Sequence, residues 1–164
     1  VQTRGRRINT SPTLIFRMGL FDKVTGVLSG GASADIMLSV KVPTVRRGDV
    51  VEFEYSIKPK SSFKCRGVRV EVFSKERVRG TASVGKNRTS FNESTDLARF
   101  TKDILPATEF TEGVVQKGSS TILIPASAQP TYQGKMAKNT WKLVFVIDIA
   151  MGLDLKKSVD LHVL

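Results

Sequence analysis

Apolar side chains fall on every second residue in three successive segments of this chain, and few folds accommodate that pattern. Ile36, Leu38, Val40 and Val42 alternate with Asp35, Met37, Ser39 and Lys41. Val51, Phe53, Tyr55 and Ile57 alternate with Glu52, Glu54, Ser56 and Lys58, and Val68, Val70 and Val72 with Arg69, Glu71 and Phe73. Successive side chains of a strand point to opposite faces, so each segment reads as a strand with one buried and one wet face, as in antiparallel sheets. Turn residues separate them: Pro43 with Arg46-Arg47-Gly48-Asp49, then Pro59-Lys60-Ser61-Ser62. Ser119–Ile124, Trp141–Ile149 and Ser158–Val163 read as three further strands. Residues 75–103 are less regular. Arg77–Gly80 and Ala82–Val84 read as a short strand, Gly85–Thr89 as a turn, and Ser94–Arg99 as a single helical turn capped by Ser94. Seven to nine strands with no long helix between them predict an all-β, immunoglobulin-like antiparallel β-sandwich over residues 31–164.

Two segments precede that domain. Residues 18–30 carry helical spacing: Leu20, Phe21, Val24, Val27 and Leu28 share a stripe, and Gly30-Gly31 ends it. This predicts a short amphipathic helix that either packs on the sandwich or serves as an anchor for a membrane or partner helix. Residues 1–17 hold Arg4, Arg6, Arg7 and Arg17 with no acid and no periodicity. They read as a disordered basic segment: an over-extended start before Met18, a transit-like arm or a basic tail. Without those four arginines, 22 basic residues face 15 acidic ones, so the net charge of +11 falls only to +7.

A chain of 164 residues is sized for one domain and buries about two-thirds of its unfolded surface without staples. The single cysteine rules out an intramolecular disulfide and suits a reducing, cytoplasmic compartment. One histidine and one cysteine are too few ligands for a structural zinc site. No apolar run approaches the roughly 20 residues of a membrane-spanning helix.

Catalysis needs a positioned acid, base or nucleophile with a partner. His162 sits in the alternating terminal strand, where a surface or edge histidine is expected. Cys65 lies between Lys64 and Arg66, cations able to favour a thiolate, yet at a strand start it reads as structural. Glu52 and Glu54 read as solvated charge. Neither a P-loop nor a dinucleotide fingerprint occurs. A non-enzymatic protein with no cofactor and no metal is the expectation.

The strongest charge feature lies between Lys64 and Arg88, where eight basic residues meet only Glu71 and Glu76. Arg66, Arg69, Lys75, Arg77, Arg79, Lys86 and Arg88 form the candidate partner- or anion-binding set. Two-residue periodicity puts Arg77 and Arg79 on one face, with Arg69 near them on a neighbouring strand. Such a stripe raises the local anion concentration. It suits an acidic or phosphorylated protein partner, or else anionic membrane or nucleic acid. Single-strand binders interleave such cations with exposed aromatics, and Phe63, Phe73 and Phe91 are the candidates here.

The order of several segments resembles the arrestin-like family. Arg47-Gly48-Asp49-Val50-Val51 is similar to its turn into the second strand, and Val68–Glu76 to its third strand. Leu123-Ile-Pro-Ala-Ser-Ala-Gln-Pro-Thr-Tyr-Gln-Gly134 followed by Trp141–Ile149 resembles its proline-bounded crossover and long central strand. Leu155–Val163 is similar to its closing strand. The resemblance covers about residues 34–164, one N-terminal-type domain, and looks nearest to bacterial sporulation-control relatives, in which a short helix precedes the sandwich. It implies an arrestin-type sandwich acting as a protein-binding, adaptor or regulatory module through loops, a sheet edge or the basic strand face. An exposed edge also makes a homodimer an expectation.

Overall fold

The computed structural model describes residues 31–164, which form ten strands and, among those residues, no helix. The helix expected over 18–30 and the basic segment 1–17 lie outside the described residues. In chain order the strands are β1 (Ala34–Val40), β2 (Thr44–Val45), β3 (Val50–Pro59), β4 (Phe63–Val84), β5 (Asn87–Leu105), β6 (Thr108–Phe110), β7 (Gln116–Leu123), β8 (Tyr132–Gln133), β9 (Ala137–Ile149) and β10 (Leu155–Val163). They make two sheets. The smaller runs β1-β3-β7; the larger runs β2-β10-β9-β4-β5, with β6 beside β4 and β8 beside β9. All pairings are antiparallel except the short β10–β2 contact.

The alternation seen in the sequence decides which face is inward. Val51, Phe53, Tyr55 and Ile57 of β3 face Val68, Val70 and Val72 of β4 and Leu143, Phe145 and Ile147 of β9, all buried. Tyr55 and Phe145 meet across the two sheets at 4.8 Å between ring centroids. Each such side chain, fully buried, contributes roughly 1.5–3 kcal/mol. Gly118 pairs directly with Tyr55, whose ring covers it; a Cβ at Gly118 would come within 2.6 Å of Tyr55 Cζ.

The crossover between the sheets is fastened by polar contacts. Trp141 Nε1–H donates to the Gln129 carbonyl at 2.8 Å, and Asn139 Nδ2–H to the Pro130 carbonyl at 2.9 Å. Asn139 Oδ1 accepts from the Ser74 hydroxyl at 2.9 Å, and Ser74 and Asn139 are both fully buried. The Thr131 amide donates to the Val163 carbonyl, and the Val163 amide to the Thr131 hydroxyl. At the other resembling turn, the Gly48 amide donates to the Ile124 carbonyl at a backbone φ of 90°, which only glycine adopts without strain.

Three local readings are corrected. Arg69 lies on the same strand as Arg77 and Arg79, not on a neighbouring one, because β4 runs unbroken from Phe63 to Val84. Ser94–Arg99 is not a helical turn but part of β5, because continuous pairing with β4 satisfies the backbone groups that a lone Ser94 cap would serve only in part. The residues after Val84 do not make a long turn. Val84 and Asn87 already pair, so Gly85-Lys86 is a two-residue hairpin loop with Gly85 at φ 61°. A positive φ at the first position alone is the signature of a type II′ turn, whose twist matches the flanking strands.

Candidate basic arm

Strands β4 and β5 run past the rest of their sheet. β9 accompanies β4 only as far as Val78, opposite Ala137, and the Arg79 amide makes a last bond to the Met136 carbonyl at 2.7 Å. Beyond that point residues 79–84 and 87–92 pair only with each other. Six residues of strand at about 3.3 Å each make an arm projecting roughly 20 Å. On β5 every residue from 87 to 97 is exposed, whereas Ala98, Phe100 and Ile104 pack against the core. The change falls at Leu97, the extra residue of a bulge between the pairs Ser74↔Ala98 and Lys75↔Asp96.

Register fixes what each face carries. Arg69, Glu71, Phe73, Lys75, Arg77 and Arg79 share the outward face of β4, with Lys138 of β9 opposite Arg77, and Arg99, Asp96 and Arg88 of β5 opposite Phe73, Lys75 and Ser83. The seven predicted cations divide into two groups. Arg66 binds Asp148 at 2.6 Å; Arg69 binds Glu71 at 2.9 Å and lies 3.4 Å from Asp148 and 3.7 Å from Asp154; Lys75 lies 3.5 Å from Asp96. Arg99 ties this group together, reaching Glu71 at 2.5 Å and Asp96 at 2.9 Å with its guanidinium 4.9 Å above the Phe73 ring. The hydrogen bond to Glu71 holds the Arg69 guanidinium above its ordinary pKa, and the one from Arg99 holds the Asp96 carboxyl below its own.

The second group has no such partners. Arg77, Arg79, Lys86 and Arg88 make no ion pair among the described residues; Arg79 Nε–H donates only to the Lys135 carbonyl, at 3.2 Å. Lys138, which the sequence reading missed, joins them opposite Arg77. The period-two start of β9 at Ala137 was the available signal, but that strand reads as beginning only at Trp141. The stripe is therefore a neutralised root and an unneutralised arm.

Of the three aromatic candidates only Phe73 shares the outward face with the cations, and it is covered by Arg99. Phe63 packs on Phe110 at 5.2 Å, Phe73 lies beneath Arg99, and Phe91 lies over Gly80 beside Met136 on the opposite face of the arm. Cys65 is buried in β4, and His162 is exposed in β10 with its amide bonded to the Pro43 carbonyl. Glu52 and Glu54 are exposed on the outer face of the small sheet, beside a shallow groove of about 490 Å³ also lined by Ser39, Lys41, Ser119 and Thr121. Lys41 and Glu52 pair there at 3.0 Å.

No family model matches the sequence, and no curated protein matches it. Among solved structures the chain is similar to the sporulation control protein Spo0M from Bacillus subtilis. The TM-score is 0.59 at 17% identity, over 81% of this chain and 49% of that one. The chain thus spans about half the length of the structure it matches. At this identity the likeness speaks for the fold, and it bears out the arrestin-like sandwich resemblance and the comparison with sporulation-control relatives.

Proposed function

We propose that this chain is a non-enzymatic regulatory binding module, working in the cytoplasm, whose β4–β5 arm docks an acidic or phosphorylated segment of a partner protein. The observation that carries the reading is the set Arg77, Arg79, Lys86, Arg88 and Lys138, gathered at one end of the large sheet with no ion pair to any of them among the described residues. Surface cations left unneutralised attract anions over about a Debye length and speed encounter with acidic partners. Arginine adds paired donors that fit carboxylate and phosphate oxygens. The arrestin-like fold and the sporulation-control role printed for the similar structure support a regulatory setting. Phe91 lies on the face opposite the free cations and the Phe73 ring is covered by Arg99, which favours an acidic protein segment over single-stranded nucleic acid.

The test is titration of fluorescent acidic and phosphorylated peptides, with a DNA oligonucleotide and anionic vesicles as competitors. Arg77→Glu with Arg79→Glu should weaken peptide binding by about tenfold or more, since each lost rim charge costs on the order of 0.5–1 kcal/mol and each reversal adds repulsion. Lys117→Glu, exposed on strand β7 of the smaller sheet, should leave it unchanged. Equal losses from both substitutions, or oligonucleotide and vesicles outcompeting every peptide, would refute the docking reading.

A further inference from the structure

We propose that the free edge of β5 pairs antiparallel with β5 of a second copy of this chain, with the two-fold axis at Asn92. Residues 88–96 read Arg-Thr-Ser-Phe-Asn-Glu-Ser-Thr-Asp. Read against itself in the antiparallel sense, this segment sets Arg88 opposite Asp96 of the second copy, Thr89 opposite Thr95, Ser90 opposite Ser94 and Phe91 opposite Glu93. Opposite charges and Thr or Ser pairs directly across a strand pair are favourable contacts. Residues 88, 90, 92, 94 and 96 share the outward face in β5, so this register also matches faces between the copies.

The free edge has the length the pairing needs. In the described residues β5 pairs with β4 alone, which leaves the amides and carbonyls of its other side unpaired along the arm. In the proposed register Lys86 and Gly85 of one arm fall opposite Ala98 and Arg99 of the other. That is where β5 turns onto its sandwich, so the two bodies stand clear at opposite ends. Phe91, 39% exposed, comes diagonally across from Phe91 of the second copy, within aromatic reach. Asp96 accepts from Arg99 and faces Lys75, which leaves carboxylate lone pairs for Arg88 of the second copy. The like-charged Arg77 and Arg79 of the two copies sit on the outer strands, about 14 Å apart at about 4.8 Å per strand, beyond the roughly 8 Å Debye length at physiological salt.

Such a dimer merges the two arms into a four-stranded surface with Arg77, Arg79 and Lys138 of both copies on one face. It does not depend on the acidic-ligand reading, and peptide titration and mass measurement can fail separately.

The experiment uses the full chain in light scattering at tens of micromolar together with two cysteine variants. The expected mass is twice 18.0 kDa. Asn92→Cys should yield a disulfide-linked dimer under mild oxidation, because directly opposed Cα atoms stand about 4.5–5.5 Å apart, within disulfide range. Ser90→Cys, about 13 Å from its copy at about 3.3 Å per residue, should not cross-link. Cys65 is buried and should not react. Arg88→Asp should weaken dimerisation about tenfold by placing like charges opposite each other twice. A monomer at every concentration with no Asn92→Cys linkage overturns the proposal. So does a dimer that is indifferent to Arg88→Asp and links equally through 90 and 92, since it uses another surface.

Discussion

Replacing Asn139 by alanine should destabilise the domain by about 3 kcal/mol, and the figure follows from the polar contacts that hold the crossover. The side chain donates to the Pro130 carbonyl at 2.9 Å, approaches the Gln129 carbonyl at 3.4 Å, and accepts from the Ser74 hydroxyl at 2.9 Å. Two well-made bonds are worth about 0.5–1.5 kcal/mol each net, and an orphaned buried partner costs about 1–3 kcal/mol more. Ser74 is fully buried, so its hydroxyl cannot turn to water. These add to about 2–6 kcal/mol, and partial relaxation keeps the total in the lower half, at about 3 kcal/mol. For a domain of this size about 3 kcal/mol corresponds to a fall in Tm of roughly 6–12 °C. Urea unfolding followed by Trp141 fluorescence is the assay, because Trp141 is the only tryptophan and its Nε1–H binds the same crossover at Gln129. Ser74→Ala alone should cost less, and the double variant should cost about 1 kcal/mol less than the sum, as contacting residues couple. A loss below about 1 kcal/mol for Asn139→Ala, or strict additivity with Ser74→Ala, would refute the reasoning.

Two further outcomes are expected. Gly118→Val should lower stability by about 2–4 kcal/mol in urea unfolding, because its branches would displace the Tyr55 ring from the Phe145 contact, an overpacking cost; a change within 0.5 kcal/mol would contradict it. Burial raises the Tyr55 phenol pKa and a hydrogen bond to Glu76 raises that of Tyr132, so both of the chain's tyrosines should ionise above the usual value of 10.0. Raised folded values mean a stability contribution that is complete below pH 10 and is lost as pH rises through the folded values. Absorbance at 295 nm should therefore show less than half of the tyrosinate at pH 10, and a half-complete, reversible titration at that pH would count against it.

How much of this was legible in the sequence depended on whether a strand buries a face. β1, β3 and the inner half of β4 announce themselves because Ile36, Phe53 and Val70 must alternate with polar residues to meet the core. The arm buries neither face, so Thr89, Ser90, Asn92 and Ser94 carry no period, and Ser94 reads as a helix cap instead. The continuation of β4 through Gly80 was hidden for the same reason; Phe91 covers that glycine from a strand that the sequence did not delimit. The basic set was found by proximity along the chain. Its division was not, because the neutralising carboxylates come from elsewhere: Asp96 from β5, Asp148 from β9 and Asp154 from the loop before β10. Arg99 was invisible as the hub because its importance rests on the register Phe73↔Arg99.

That division has a consequence for how binding and folding are partitioned. A two-stranded ribbon is marginal on its own, and this one is anchored through its root. β4 is continuous with Val68, Val70 and Val72 in the core, and the bulge at Leu97 is bracketed by the Lys75–Asp96–Arg99 contacts, with Arg99 lying over Phe73. The ion pairs that order the arm are thus spent below it. Arg77, Lys86 and Arg88 form no ion pair or side-chain hydrogen bond within the described fold, and Arg79 makes a single bond to a backbone carbonyl. Exposed substitutions away from such networks change stability by about 0.5 kcal/mol or less. Selection on these cations therefore acts almost free of the fold, whereas any change at Arg99 or Glu71 alters the platform on which they stand.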